Sequence, residues 1–183
     1  MSKVLIPLAE GFEELEAVSL IDVLRRAKIE VIVAGVGAKH VAGAHHIKIE
    51  TECLVSQVSS DELDMIVLPG GWGGTHILAE DPDVQSLLKE MEAADKMIGA
   101  ICAAPFALKQ AGVLSQDFTC YPSVEEDIGF DGYIHDKNIV IDGNVMTSRG
   151  PGTALCFGLA IVEKLKGSDI ARGVRTDMLA DHC

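Results

Sequence analysis

The sequence has few basic residues and lacks long hydrophobic runs. Its 183 residues include 15 Lys and Arg against 28 Asp and Glu, which gives a formal net charge of −13. Binding to nucleic acid or to an anionic membrane depends on clustered Lys and Arg, so the acidic excess argues against both partners. No apolar run approaches the roughly 20 residues of a membrane-spanning helix. The start of the chain runs directly into Val4-Leu5-Ile6 without a signal-peptide pattern, so we expect a cytoplasmic protein.

Paired cysteines are also missing. The five cysteines are scattered along the chain without a CxxC motif, which argues against a disulfide framework and against a structural zinc site. We expect Cys53 and Cys156 to be packing residues, and Cys120 as well, with a secondary redox role as the alternative for Cys120. The tail from about residue 176 is expected to be loosely ordered, with Asp181-His182-Cys183 disordered or binding metal only adventitiously.

Short apolar runs alternate with helical stretches along the chain. Lys3–Ala9 and Ile29–Gly35 have the pattern of buried strands, and Glu13–Ala27 between them repeats apolar residues at helical spacing. A strand-helix-strand unit requires a parallel sheet. Asp142-Gly143 suits the positive φ angles of a tight hairpin. We therefore predict a single α/β domain over residues 1–183.

Three glutamates begin the first predicted helix. The inward face of this helix is expected to consist of Leu15, Val18, Ile21 and Leu24. Glu16 follows Leu15 and precedes Val18, so it is expected to point toward the sheet, whereas Glu13 and Glu14 stay in solvent.

Cys102 lies where the predicted strand Met97–Ile101 turns into a helix, with Ala100 and Ala104 two positions away on either side. Such small neighbours permit the strained turn of a nucleophile elbow. The N–H groups at the start of the helix would favour a thiolate and supply donors to an oxyanion. The alternative is a small buried core cysteine, and spacing alone does not decide between the two.

Gly70-Gly71 follows the predicted strand Met65–Pro69. Glycine lets backbone N–H groups approach a ligand closely, and the carboxyl ends of parallel strands share one crevice, so we expect Gly71 beside Cys102. A dinucleotide fingerprint is disfavoured because the segment from Gly71 to His76 lacks the final glycine of GxGxxG. The other alternative is a glycine-rich turn without a ligand, leading to a helix from about Asp83.

Four motifs together resemble a known family. They are Glu13-Glu14-Leu15-Glu16, Leu68-Pro69-Gly70-Gly71, Ala100–Pro105 and Thr147–Thr153. Their order and spacing resemble the ThiJ/PfpI superfamily, and the chain is similar to its small Parkinsonism-associated deglycase branch from about residue 3 to about residue 175. The resemblance implies a flavodoxin-like three-layer sandwich with a mostly parallel sheet and a nucleophile elbow, assembled as a homodimer.

The resemblance also implies site residues and an activity. It implies an oxidisable nucleophile at Cys102, a partner carboxyl at Glu16 and backbone donors at Gly71 and Ala103. The pocket around them is expected to include Gly70, Trp72, His76, Tyr121 and Arg149. The activities implied are a glutathione-independent glyoxalase or deglycase acting on methylglyoxal, glyoxal or early glycation adducts, and alternatively an oxidative-stress sensor or redox-regulated chaperone. No metal or organic cofactor is expected.

The chain departs from its superfamily in its lack of a histidine beside the thiol. Sister branches have a histidine directly after the nucleophile, where this chain has Ala103, and some relatives have one where this chain has Tyr121. A phenol is a poor general base near neutral pH, so a Cys-His pair is not expected. Proton handling then falls to Glu16, which we expect to be neutral in the resting enzyme, because a charged carboxylate would disfavour the Cys102 thiolate.

Histidines elsewhere are weak candidates for metal binding. His45 and His46 are adjacent on a strand-like segment, so their side chains would point to opposite faces and not share one ion.

Overall fold

The structure, a computed structural model, describes residues 2–183, in which strands alternate with helices. The strands are β1 (Lys3–Leu8), β2 (Glu30–Gly35), β3 (His40–Ala42), β4 (Lys48–Glu50), β5 (Cys53–Leu54), β6 (Met65–Leu68), β7 (Met97–Ile101), β8 (Ile139–Asp142) and β9 (Val145–Ser148). The α-helices are α1 (Glu14–Arg26), α2 (Trp72–Glu80), α3 (Pro82–Ala93), α4 (Pro105–Ala111), α5 (Val124–Ile128), α6 (Ala154–Lys166) and α7 (Ser168–Asp177). Within residues 2–183, none of the helices is long and apolar enough to cross a membrane.

One seven-stranded sheet, in the order β5-β2-β1-β6-β7-β9-β8, organises the fold. Neighbouring strands run parallel from β5 to β9, and β8 pairs with β9 in the antiparallel direction. The predicted hairpin at Asp142-Gly143 joins these last two strands, and Gly143 has a φ of +61°. β3 and β4 form a separate antiparallel hairpin. The predicted mostly parallel, flavodoxin-like sheet is therefore confirmed.

Helices cover both faces of the sheet. Successive β1 residues point to opposite faces: Val4, Ile6 and Leu8 belong to one buried cluster, and Leu5 and Ala9 to the other. α1, α6 and α7 pack together over the first cluster, whereas α2, α3 and α4 pack over the second. This arrangement leaves the carboxyl ends of β1, β6 and β7 free to form a site between the layers.

The orientation of α1 differs from the prediction. Leu15 and Val18, expected to face inward, are 64% and 49% exposed, while Glu13 and Glu14, expected in solvent, are buried. The buried face of the helix instead consists of Glu14, Glu16, Ala17, Leu20, Val23 and Leu24. Glu13 and Glu14 tolerate burial because both accept hydrogen bonds from backbone N–H groups.

Helix α2 is an element that the sequence does not predict. The stretch expected to be a glycine-rich turn begins this helix at Trp72, and Gly71, with a φ of +86°, immediately precedes it. Gly73 and Gly74 lower the intrinsic helix propensity of the segment. They are needed because Gly74 lies against the backbone of Phe12, where a Cβ would be 3.0 Å from the Phe12 Cα. Packing against the first loop therefore overrides local propensity.

The tail is also fixed to the body of the protein. Cys156, in α6, and Cys183 form a disulfide, so the expectation of unpaired cysteines is wrong for these two. Ala180 is buried in the core shared by α1 and α6, and the expected loose tail is therefore not found. The pairing depends on α7 running back along α6, which brings residues 27 positions apart in sequence into contact.

Candidate functional site

Cys102 lies in a strained turn between β7 and α4. Its φ of +65° places a non-glycine residue in the left-handed region, as the elbow motif predicts. Two backbone hydrogen bonds hold this conformation: the Cys102 N–H donates to the Ser148 carbonyl at 3.0 Å, and the Tyr121 N–H donates to the Cys102 carbonyl at 2.9 Å. Cys102 is only 9% exposed, so its thiol is reached from one side.

Gly70 and Gly71 let three segments of the chain meet at the thiol. A Cβ on Gly70 would lie 2.6 Å from the Cys102 Cβ and 2.7 Å from Glu16 Oε2, so a larger residue does not fit. The Gly70 carbonyl accepts a 2.9 Å hydrogen bond from the Glu13 N–H, which ties the β6 exit to the start of α1. Hydrogen bonds from the N–H groups of Gly71 and Ala103 act to lower the pKa of the Cys102 thiol.

Glu16 is fully buried in the first turn of α1 beside Cys102. Its Oε2 accepts a 2.7 Å hydrogen bond from the Gly70 N–H. Its Oε1 has no hydrogen-bond partner among residues 2–183. A hydrogen bond between the carboxyl and the Cys102 thiol acts to lower the pKa of Glu16. The predicted meeting of Glu16 and Cys102 therefore has a geometric basis, with one carboxyl oxygen fixed and the other free to carry a proton.

The pKa values of both groups rise in this environment. Burial raises the pKa of Glu16 to about 7, while hydrogen bonds from Gly70 and Cys102 oppose the rise. Burial, together with the charge of Glu16 and its hydrogen bond, raises the pKa of the Cys102 thiol to about 12. The expectation of a low-pKa thiol is therefore wrong while Glu16 is ionised. Protonation of Glu16 removes its charge, but burial, the largest cause, still raises the pKa of Cys102, and the Gly71 and Ala103 N–H groups act to lower it.

An open cleft of about 440 Å³ leads to Cys102. Its lining residues are Glu13, His45, Trp72, Cys102, Ala103, Tyr121, Ser123, Val124, Asp127 and Pro151. Three of the residues predicted to surround the pocket are not part of this lining. Gly70 packs against Cys102, His76 packs edge-to-face on Trp72 with ring centroids 4.7 Å apart, and Arg149 lines a separate depression with Tyr121.

The sequence profile of the DJ-1/PfpI family matches residues 2–164. The chain belongs to the DJ-1/PfpI family.

Several DJ-1/PfpI proteins match nearly the whole chain. Protein dj-1beta of Drosophila melanogaster is 43% identical over 183 residues, which covers 98% of each chain. Its crystal structure superposes with a TM-score of 0.94 over 98% of each chain. The glutathione-independent glyoxalase DJR-1.2 of Caenorhabditis elegans is 38% identical over 91% of this chain and 89% of its own. The structure of oxidised Toxoplasma gondii DJ-1 gives a TM-score of 0.93 at 32% identity over 98% of each chain.

This DJ-1/PfpI chain places two further residues at its cleft, Glu13 and His45, which sequence reasoning did not assign to the site. Glu14 positions His45: its Oε1 accepts the His45 N–H at 2.7 Å, and its Oε2 lies 2.9 Å from His45 Nδ1. Burial acts to raise the pKa of Glu14, but the hydrogen bonds from His45 lower it overall, and the same contact raises the pKa of His45. The β3–β4 hairpin brings His45 next to Glu14. The residues around them in the sequence do not predict this contact.

Proposed function

We propose that the protein is a cysteine-dependent, cofactor-independent glyoxalase or deglycase. Its substrates would be methylglyoxal, glyoxal or early glycation adducts. The observation that carries the proposal is the buried Glu16 carboxyl beside the Cys102 thiol, at the end of a cleft wide enough for a small dicarbonyl. The similarity to a glutathione-independent glyoxalase of C. elegans supports it.

The first step is addition of sulfur to the aldehyde carbon. Glu16 takes the thiol proton on its free Oε1, so the thiolate forms as the carboxyl becomes neutral. The sulfur attacks the aldehyde carbon of methylglyoxal, and the carbonyl electron pair moves to oxygen. The N–H groups of Gly71 and Ala103, which already interact with the sulfur, stabilise that developing oxyanion.

The second step is an internal redox change that needs no external oxidant. Glu16 first returns the thiol proton to the oxyanion, which gives the neutral hemithioacetal. The regenerated carboxylate then transfers a proton from the former aldehyde carbon to the neighbouring carbon through an enediol. The former aldehyde carbon is oxidised to a thioester and the ketone carbon is reduced to an alcohol. Water then hydrolyses the thioester, which releases lactate and returns the proton to the Cys102–Glu16 pair.

Lactate formation tests this proposal directly. Purified protein and a Cys102→Ser variant are incubated with methylglyoxal, and lactate is quantified by enzymatic assay. We expect turnover by the wild type and a loss of at least about 1,000-fold in Cys102→Ser, because the hydroxyl is a far weaker nucleophile than the thiolate. A Cys53→Ser variant is the control and should retain wild-type activity. Absence of turnover in clean wild-type protein would refute the enzyme proposal.

The alternative function is an oxidative-stress sensor or redox-regulated chaperone. It is favoured by the same donors, since the Gly71 and Ala103 N–H groups and a protonated Glu16 can hold the oxygens of a Cys102 sulfinate. The lactate experiment therefore includes a peroxide titration of the same samples, followed by peptide mass spectrometry. Gain of two oxygens at Cys102 before Cys53 and Cys120, without lactate formation, selects the sensor. Equal oxidation of all three excludes it.

We also propose that the protein is a cytoplasmic homodimer. Leu15 and Val18 on α1 are exposed, and Ile47 beside the β3–β4 hairpin is 57% exposed. Val18 also lines a groove with Ile21, Val33 and Ile49, beside the charged residues Asp22, Arg25, Glu50 and Glu52. Apolar surface of this kind on a folded domain is typical of a subunit interface, and a second copy can bury it symmetrically.

A charge placed on this surface tests the dimer. Val18→Glu is expected to convert the protein from dimer to monomer in sedimentation equilibrium, because burying an unpaired carboxylate opposes association. Ile170→Glu is the matched control, since Ile170 is similarly exposed, at 45%, on α7. A wild type that sediments as a monomer, or two variants that dissociate equally, would contradict the proposed interface.

A further inference from the structure

Two cysteines and a histidine meet at the end of α7, far in sequence from the cleft residues. Cys156 projects from the first turn of α6, and the disulfide joins it to Cys183, the neighbour of His182. The two sulfurs and a ring nitrogen of His182 all lie within 4.8 Å of one another. We propose that these three side chains, when reduced, bind a Zn²⁺ ion, and that the disulfide is the metal-free form of the same site.

The donor set has the chemistry that zinc selects. Thiolate and imidazole are its preferred ligands, and sites with two cysteines and one histidine leave a fourth position for water. Hard cations such as Mg²⁺ prefer oxygen ligands and are not expected to bind these side chains. Arg172, Arg175 and Glu163 line the cavity beside Cys156 and Cys183. The two arginines outnumber the one carboxylate, and net positive charge favours thiolates, the form that binds metal.

Little movement is needed to pass from the disulfide to the metal site. Two thiolates bound at about 2.3 Å to a tetrahedral ion lie about 3.8 Å apart, so the sulfurs separate by less than about 2 Å after reduction. Cys183 and His182 are exposed and can make this adjustment, whereas α6 holds Cys156 in place. The Cα atoms of the two cysteines are 5.1 Å apart. Ala180 remains buried in either state and keeps the tail near the site.

Conversion of the disulfide to the zinc-bound form requires a two-electron reduction. A dithiol reductant transfers two electrons and two protons to the Cys156–Cys183 bond and becomes a disulfide itself. Each new thiol then releases its proton when its sulfur binds Zn²⁺. An oxidant that withdraws the two electrons restores the disulfide and releases the ion, because disulfide sulfurs carry no charge and bind zinc poorly. A reducing compartment therefore keeps the two cysteines in the form that can bind Zn²⁺.

Metal binding by the full-length chain tests the proposal. The protein is reduced with a phosphine, desalted without oxygen, and titrated with Zn²⁺ against a chromophoric chelator and separately with Co²⁺. We expect one Zn²⁺ per chain and a near-ultraviolet thiolate-to-cobalt band, both absent after diamide oxidation. Cys183→Ser and Cys156→Ser should weaken binding by about 100-fold or more, and His182→Ala by about 10-fold or more.

Matched variants separate this site from the other thiols and histidines. Cys102→Ser, Cys53→Ser and His135→Ala should bind Zn²⁺ as the wild type does, with an unchanged cobalt spectrum. Reduced wild type that binds no more Zn²⁺ than Cys183→Ser would overturn the proposal. So would a cobalt spectrum lost in Cys102→Ser and kept in Cys183→Ser. Peptide mapping of the oxidised protein without a Cys156–Cys183 link would overturn the role of the disulfide. Circular dichroism is the folding control: a spectrum of Cys183→Ser that matches the wild type shows that the variant is folded.

Discussion

Replacing Glu16 with glutamine is expected to make the protein more stable above pH 7 and almost inactive. Glutamine keeps an oxygen that can accept the 2.7 Å hydrogen bond from Gly70, but it cannot ionise or carry a proton. Loss of a general acid-base group should lower kcat/KM for methylglyoxal by about 100-fold or more. The gain in stability comes from removing a charge that the buried site disfavours.

The size and pH range of this gain follow from the pKa of Glu16. Folding raises that pKa from 4.5 to about 7, so the folded protein binds the proton more tightly than the unfolded chain. Wild-type stability is therefore unaffected below about pH 4.5 and decreases as the pH rises from there to about 7. One pKa unit corresponds to about 1.4 kcal/mol, so the cost above pH 7 is about 3 kcal/mol. Glu16→Gln should recover this amount at pH 8 and less than about 1 kcal/mol at pH 5.

Urea unfolding at pH 5 and pH 8, together with alkylation of Cys102, provides the measurement. Because the variant lacks the charge of Glu16, the pKa of Cys102 should fall and iodoacetamide should react several-fold faster than in the wild type at pH 7. A faster alkylation with a slower turnover separates nucleophile activation from proton transfer. Glu16→Asp, which keeps the charge, is the control and should show no gain at pH 8. Equal stability of wild type and Glu16→Gln at both pH values would show that Glu16 is not buried as described.

Gly70→Ala is expected to cost both stability and activity. The added Cβ would lie 2.6 Å from the Cys102 Cβ, 2.7 Å from Glu16 Oε2 and 2.9 Å from the Ile101 carbonyl oxygen. These contacts come from backbone or from short, buried side chains that have little room to move. We expect a loss of about 2 kcal/mol or more in the free energy of unfolding. A displacement of about 1 Å between Cys102 and Glu16 should also lower turnover by about 100-fold.

A second glycine provides the control for this substitution. Gly173 lies within α7, and a Cβ there meets no described atom within 4 Å. Gly173→Ala should leave turnover unchanged and raise stability by about 0.5–1 kcal/mol, because alanine loses less conformational freedom in a helix. Thermal unfolding measures the stability of both variants, and lactate formation measures their turnover. If Gly70→Ala keeps full activity, the close approach of β6 to Cys102 is not required for catalysis.

The sequence predicts the sheet well because its signal is local. Short apolar runs such as Lys3–Leu8 and Met65–Leu68 are buried on both faces, and each lies close in sequence to the helix that covers it. Local sequence does not predict which face of α1 is buried. Leu15 and Val18 follow the spacing of a core face, but they are 64% and 49% exposed, so hydrophobic spacing alone assigns them to the wrong side.

The chemistry of the site was predictable where it depends on residue type and order. Cys102, Gly71 and Glu16 each follow or face the carboxyl end of a parallel strand, which is sufficient to bring them together. His45 was not predictable because the β3–β4 hairpin positions it, and the raised pKa of Cys102 depends on burial that only packing reveals. The Cys156–Cys183 bond requires the return path of α7, which cysteine spacing does not encode.

The hydrogen bond from Cys102 to Ser148 also has a consequence for the nascent chain. The β1–α1–β2 unit is local and can form early during synthesis, but β7 lies between β6 and β9, which supplies the Ser148 carbonyl. The elbow therefore lacks this support until residues beyond 148 have left the ribosome. A chain stalled before β9 would have a carboxylate and a thiol without the strained geometry that aligns them. Translation thus delays the alignment of Cys102 with Glu16 until nearly the whole sheet has formed.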